Sequence, residues 1–296
     1  MAVKILILLL PALVSAKIKV NIETGRTQED SFVEAIGSTI DIISDEERET
    51  FKINDYQLKD AMEKWWGDRP DDVFVKSPTK WDDLYTRYSW AQVQRTLRPV
   101  SAKVLRLTKK QEVITKKTFC NHSKKNKASY SGSIKQERET TATTTWTNSH
   151  SFSVNQKIEY SVGLSEVLSA GGSTSFGFTG SWGSGTTKSE TMMVGSGIGV
   201  KVDLEPGQQV QSVLSASLGT LEIEVQYEAT LSGRVTVNYS NKHNGHHFWA
   251  PDVNAVLNAA GLPTRLMSTE IIKVGFYADE QVTNHDFGSC VKQSYY

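Results

Sequence analysis

The chain has only two cysteines, no formal net charge and, past its first residues, no apolar run long enough to cross a membrane as a helix. Two cysteines allow at most one internal disulfide. Zero net charge removes any general attraction to nucleic acid or to anionic membranes, so no nucleic-acid partner is expected. Enzyme signatures are missing as well. There is no nucleophile elbow, "GSGIG" at 195–199 lacks dinucleotide-binding spacing and a following helix, and "TTKS" at 186–189 has no glycine-rich phosphate loop. A non-enzyme with no catalytic residues, no cofactor and no metal is therefore expected. His243, His246 and His247 in "NKHNGHHFW" are the densest polar cluster, but Asp252 is the only further ligand nearby. Packing of Phe248 and Trp249 by that loop explains it better than a metal does.

What is present starts with "MAVKILILLLPALVSA": a cation at Lys4, an apolar run from Ile5 to Leu10, then Val14 and Ala16 at a cleavage site. Residues 1–16 read as a signal peptide, since the run is well short of the roughly 20 residues a spanning helix needs. The mature chain is then secreted into an oxidising compartment. Cys120 and Cys290 are candidates for one disulfide there, with two free thiols as the alternative. "NHS" at Asn121 and "NYS" at Asn238 are candidate glycosylation sites.

The fold class expected is mainly β: an elongated antiparallel module with a mixed α+β head. Residues 17–133 form the N-terminal part of that head. "NDYQLKDAMEKWW" puts Leu58, Ala61, Met62 and Trp65 on one helical face behind an Asn54 or Asp55 cap. Trp81, Tyr85, Tyr88 and Trp90 follow as an aromatic cluster, either core or a sugar-binding surface. The lysine-rich run from Lys103 to Lys127 reads as a solvated face, or else as a lipid-headgroup or glycan contact. Residues 134–240 shift to Ser, Thr and Gly with period-two patterning. In "LEIEVQYEATLSGRVTVNY", Leu221 to Tyr239 keep one apolar parity with only Gly233 vacant, which argues for an unusually long strand. "EPG" at 205–207 marks a turn. Residues 241–296 complete the head, with a helix in "PDVNAVLNAAG" stopped by Gly261. A Cys120–Cys290 bond would staple the two ends into one head, from which the β-rich middle projects.

The run "SFSVNQKIEYSVGL" places Phe152, Val154, Ile158, Tyr160, Val162 and Leu164 on one parity. Its phase continues from Ala142 and Trp146, and the alternation returns at Phe176, Phe178 and Trp182 after a tip carrying Val167 and Leu168. Together these make a hairpin over about 152–182. It is long enough for membrane strands, with an apolar outer row and a polar inner one. A half-buried soluble hairpin writes the same pattern, and period two does not separate the two readings. One hairpin cannot span alone, because its edges would leave backbone groups unpaired in hydrocarbon.

"ETTATTTWTNSHSFSV", the Gly/Ser-rich hairpin and "VDLEPGQQV" ahead of a long strand resemble the aerolysin-type β-pore-forming family over about 134–240. "RTLRPVSAKVL" and "GHHFW" extend a likeness to insect follicular epithelium yolk proteins and spherulins over most of the mature chain. The first resemblance implies insertion by the residues from Phe152 to Trp182, homo-oligomerisation, and a membrane lipid or glycan receptor. The second implies secretion by follicle cells and deposition in the egg. The expectation taken forward is a yolk or storage protein on an aerolysin-like module. An active pore-former is the alternative, and a carbohydrate-binding surface protein the third reading.

Overall fold

The computed structural model describes residues 17–147, 157–164, 174–195 and 198–290. The signal peptide and the hairpin positions Phe152, Val154, Val167 and Leu168 lie outside the described residues. The chain opens with β1 (Ile18–Thr24), β2 (Phe32–Ile36) and β3 (Thr39–Ile42). Helices α1 (Asp45–Thr50) and α2 (Asp55–Trp66), strand β4 (Asp72–Phe74) and helix α3 (Lys80–Tyr88) come next. Strands β5 (Gln94–Cys120), β6 (Ala128–Ser133), β7 (Gln136–Thr147), β8 (Lys157–Leu164), β9 (Thr174–Ser181), β10 (Thr186–Val194), β11 (Gly199–Leu204) and β12 (Gln208–Ser232) form the middle. The chain ends with β13 (Thr236–His243), β14 (His246–Trp249), α4 (Val253–Ala260) and β15 (Arg265–Ser289).

The frame is a six-stranded sheet ordered β10-β7-β15-β12-β5-β3. Its axis is β12, 25 residues that extend roughly 80 Å at strand rise. β12 is hydrogen-bonded along nearly its whole length to β5 on one side and β15 on the other, both antiparallel. Irregular register near Leu214–Ser217 moves its buried side chains from even positions (Val210, Leu214) to odd ones (Leu221, Ile223, Val225, Tyr227). An extra residue on one strand does this by turning the pleat over.

The long run seen in sequence from Leu221 to Tyr239 is two strands. Gly233 takes φ +101 between β12 and β13, and a Cβ there would collide with the Gln92 carbonyl. The vacancy in the apolar row is thus a required glycine rather than a gap in one strand. β13 leaves the long sheet and pairs with β4 and β14 in a three-stranded sheet. "EPG" does turn between β11 and β12: Gly207 has φ +75, and Gln208 N donates to Glu205 O.

The helices gather at the Ser232 end of β12. Asn54 Oδ1 accepts from Gln57 N to start α2, and left-handed Gly67 ends it. Asp252 caps α4 and Gly261 stops it. Leu58, Ala61 and Met62 of α2 and Val253, Val256 and Leu257 of α4 are buried in the core there, so both helices form where the sequence places them. Arg95, fully buried at the start of β5, joins this head to the sheet: its guanidinium donates to Glu47 Oε1 (2.9 Å), Asp41 Oδ2 (3.0 Å) and Thr39 Oγ1 (2.8 Å).

Three expectations are corrected. First, the boundaries at 134 and 240 do not hold, because β5 and β15 belong to the long sheet. β5 was disguised by its basic residues, three of which have partners across the ladder: Arg98–Glu228, Lys103–Glu224 and Arg106–Glu222 pair β5 with β12 at 2.9, 2.9 and 2.7 Å. Second, Cys120 and Cys290 are bonded, with Cα atoms 5.7 Å apart, but not in the head. They sit at the opposite end of the long sheet, where Cys120 pairs with Gln209 and Cys290 N donates to Gly207 O. The disulfide thus ties β5 to the end of β15 across the first residues of β12. Third, neither sequon asparagine is presented to solvent. Asn121 is buried and spends its amide on the carbonyls of Asn126, Leu204 and Glu205, and Asn238 is buried in β13.

Candidate membrane-insertion hairpin

β8 and β9 form an antiparallel hairpin pairing Lys157 with Ser181 through Leu164 with Thr174. They belong to a four-stranded sheet ordered β2-β1-β8-β9 rather than to the long sheet. The arm that is continuous in phase from Ala142 to Leu164 therefore divides between two sheets: β7 pairs with β10 and β15 in the long one, β8 with β1 and β9 in the small one. β1 runs parallel to β8, setting Ile18 beside Ile158, Val20 beside Tyr160 and Ile22 beside Val162. Lys17 Nζ meets Glu159 Oε1 at 2.6 Å on the solvent side. β9 has no strand on its other edge among the described residues.

Every described member of the expected apolar row is covered. Ile158, Tyr160, Val162, Leu164, Phe176 and Trp182 are buried, and Phe178 is half-buried against them. Tyr160 and Phe178 stack with centroids 4.5 Å apart. Trp182 lies 4.5 Å from Trp146 and 4.7 Å from Tyr227, so β7 and β12 supply the surface against which the hairpin end packs.

A polar contact crosses that apolar interface. Tyr160 Oη donates to Glu270 Oε1 at 2.5 Å, and Tyr227 Oη donates to Glu270 Oε2 at 2.8 Å. Glu270 is fully buried on β15, and Tyr227 on β12. Burial pushes the Glu270 carboxyl up to about 7, opposed by the hydrogen bonds from Tyr160, Tyr227 and Thr144. Burial also drives the Tyr227 phenol well above the usual tyrosine range, and the Glu270 carboxylate drives it further. A carboxylate so placed is stable only while its donors stay aimed at it. Tyr160 belongs to the hairpin and its two partners to the frame, so this contact joins the two bodies.

Glu270 escaped the sequence reading, although the signal is legible: in "LMSTEIIKVGF" it occupies the buried parity with Ser268, Ile272, Val274 and Phe276. An acid in an apolar row needs a buried partner. The histidines do not converge on a common point. His243 Nδ1 lies 3.0 Å from Asp68 Oδ2, His247 Nδ1 lies 2.8 Å from Tyr239 O, and the His246 ring meets the Trp249 ring edge-on. Among the described residues no helix is long and apolar enough to cross a membrane, a test that does not address crossing by strands.

No family model matches the chain. Curated relatives do. U-megalopygitoxin(8)-Mc8 of Megalopyge crispata and U-megalopygitoxin(8)-Mo12 of Megalopyge opercularis are each 37% identical over 262 residues, covering 88% of this chain and 89% of theirs. U-megalopygitoxin(8)-Mo15 of Megalopyge opercularis is 35% identical over 259 residues. Among solved structures, parasporin-2, a Bacillus thuringiensis toxin that recognizes cancer cells, superposes with a TM-score of 0.66 over 85% of this chain and 99% of that one. At 15% identity that likeness is one of fold, and the fold is the aerolysin-like β-rich one expected from the sequence. The expected kinship with yolk proteins and spherulins finds no support, and the storage reading gives way because these relatives are toxins by name. The chain belongs to the U-megalopygitoxin(8) family of toxins.

Proposed function

We propose that the protein is a secreted, non-enzymatic β-pore-forming toxin that binds a cell-surface receptor, assembles into a ring of copies and inserts the β8–β9 hairpin into the membrane. The observation that carries the reading is the hairpin itself: a strand pair with a largely apolar face, docked on the frame yet outside its hydrogen-bonded ladder. The toxin relatives agree with it. A row such as Ile158, Tyr160, Val162 and Leu164 meets lipid as readily as it meets the frame, because both are apolar. Closure by several protomers supplies the strand pairing that one hairpin lacks in hydrocarbon.

In this reading the hairpin leaves β1 before insertion, and a covalent lock tests that step. Asn21 and Ser161 face each other across the β1–β8 ladder, with Ser161 exposed. The oxidised Asn21→Cys/Ser161→Cys protein should bind target cells or vesicles without releasing trapped dye. Reductant should restore leakage and detergent-resistant oligomers. Leakage equal to wild type from the fully oxidised protein would refute insertion by this hairpin.

A further inference from the structure

On the head, the β13–β14 hairpin turns through Asn244 and Gly245, at φ +44 and +86, a tight two-residue turn that holds its flanks rigidly. Beside it opens a cleft of about 620 Å³. One wall is the Tyr88–Trp90 pair, stacked at 4.5 Å with 19° between the rings, and Tyr88 is 42% exposed. Phe248 of β14 continues the apolar surface. The two rings cover one face of each other and the Arg87 guanidinium lies 5.6 Å from the Tyr88 centroid, so the pair offers a partly exposed aromatic surface with a further cation beside it.

The charge of this cleft is one-sided. Arg234 and Lys242 line it, and no carboxylate does. Arg234 Nη1 donates to the Ala250 carbonyl at 2.6 Å, which anchors the guanidinium at the rim. Its cross-strand neighbour Asp252 is committed elsewhere, accepting from Asn254 N and Ala255 N as the cap of α4. Along the β5–β12 ladder, by contrast, Arg98, Lys103 and Arg106 each meet a glutamate. Two cations without an ion pair among the described residues, over an aromatic wall, make a site for a ligand with an apolar ring surface and an anionic substituent.

We infer that this cleft binds an acidic saccharide, whose apolar ring surface packs against the aromatic wall of Tyr88, Trp90 and Phe248 and whose carboxylate or sulfate is met by Arg234 and Lys242. A free anion would not use the rings, and a neutral sugar would not use the cations. Its purpose, attachment to cells, rests on the pore-forming reading, but binding is measured without any membrane. A glycan array carrying sialylated and sulfated glycans beside their neutral parents, probed with the full mature chain, is the first test. At least one acidic glycan should bind tenfold or more above its parent. For that glycan in solution, tryptophan fluorescence titration should show severalfold weaker binding by Lys242→Gln, with the neutral parent unaffected. Tyr88→Ala, on an exposed ring, should weaken both tenfold, with circular dichroism unchanged. Equal binding of acidic and neutral forms, no glycan binding at all, or an unaltered Lys242→Gln would overturn the proposal. So would retention on phosphatidylserine vesicles that no glycan competes away. Dye release persisting in any of these cases would leave the pore reading intact.

Discussion

The two sheets are written in the same alternating code and held by different forces. In the long sheet, β12 has a strand on each edge, cross-strand ion pairs on its solvent face and a disulfide across its first residues. The β8–β9 hairpin is held by one short parallel ladder to β1, by the exposed Lys17–Glu159 pair, by apolar packing, and by Tyr160 on Glu270. In the reading proposed above, the contrast separates a permanent frame from an element that is released. Backbone hydrogen bonds and covalent links resist an apolar solvent, whereas apolar packing is replaced without loss when lipid takes the place of protein.

The largest expected effect comes from charging the hairpin's covered face. Val162 is fully buried, and Val162→Asp strands a carboxylate there at a cost of about 4 kcal/mol. Limited proteolysis should cut β8 and β9 early while the strand signal in circular dichroism largely survives. Simultaneous loss of both would mean that the sheets unfold as one.

Next in size is the disulfide. Cys120→Ser/Cys290→Ser opens a loop closed over 170 positions and should cost about 3 kcal/mol, read as a lower midpoint in urea. Because the bond clamps the frame, hairpin proteolysis under native conditions should stay near wild type. A large rise there would join what the comparison separates.

The buried acid sets the third effect. Glu270 is raised from 4.5 to about 7 in the folded protein, so folding takes up a proton between those values. Its contribution to stability is full below pH 4.5 and fades as pH rises through 7, by about 1 kcal/mol between pH 6 and 8. The hairpin should become more protease-sensitive over that interval, and Glu270→Gln should flatten the dependence. A hairpin that tightens with rising pH would contradict this assignment. The smallest effect belongs to the ladder. Arg106→Gln removes an exposed pair with Glu222 and should shift stability by under about 0.5 kcal/mol, less still at high salt.

Much of this could be read from residues alone, and the failures share a cause. Helices α2 and α4 were legible because caps, apolar spacing and stop glycines are local. The hairpin row was legible because its parity is unbroken. β5 was not, since the glutamates that pair with its Arg98, Lys103 and Arg106 are more than a hundred positions away in β12. Nor was the site of the disulfide, since spacing in sequence says nothing of which end of an antiparallel strand a residue occupies. Glu270 was visible as an acid in an apolar row, yet its partners come from β8 and β12, and only the fold brings them together.

The pairing of β7 with β10 and of β8 with β9 carries one more consequence. From the Thr144–Thr186 pair to the Lys157–Ser181 pair is 13 positions along one arm and 5 along the other. The surplus is even, so both pairings match even residues with even residues. A β-strand changes face with every residue, and an odd surplus would set the apolar rows of the two pairings on opposite sides of any ribbon joining them. With an even one, Ala142, Ile158, Tyr160, Val162, Phe176 and Met192 fall on a single side of any ribbon that joins the two pairings, so joining them reverses no side chain.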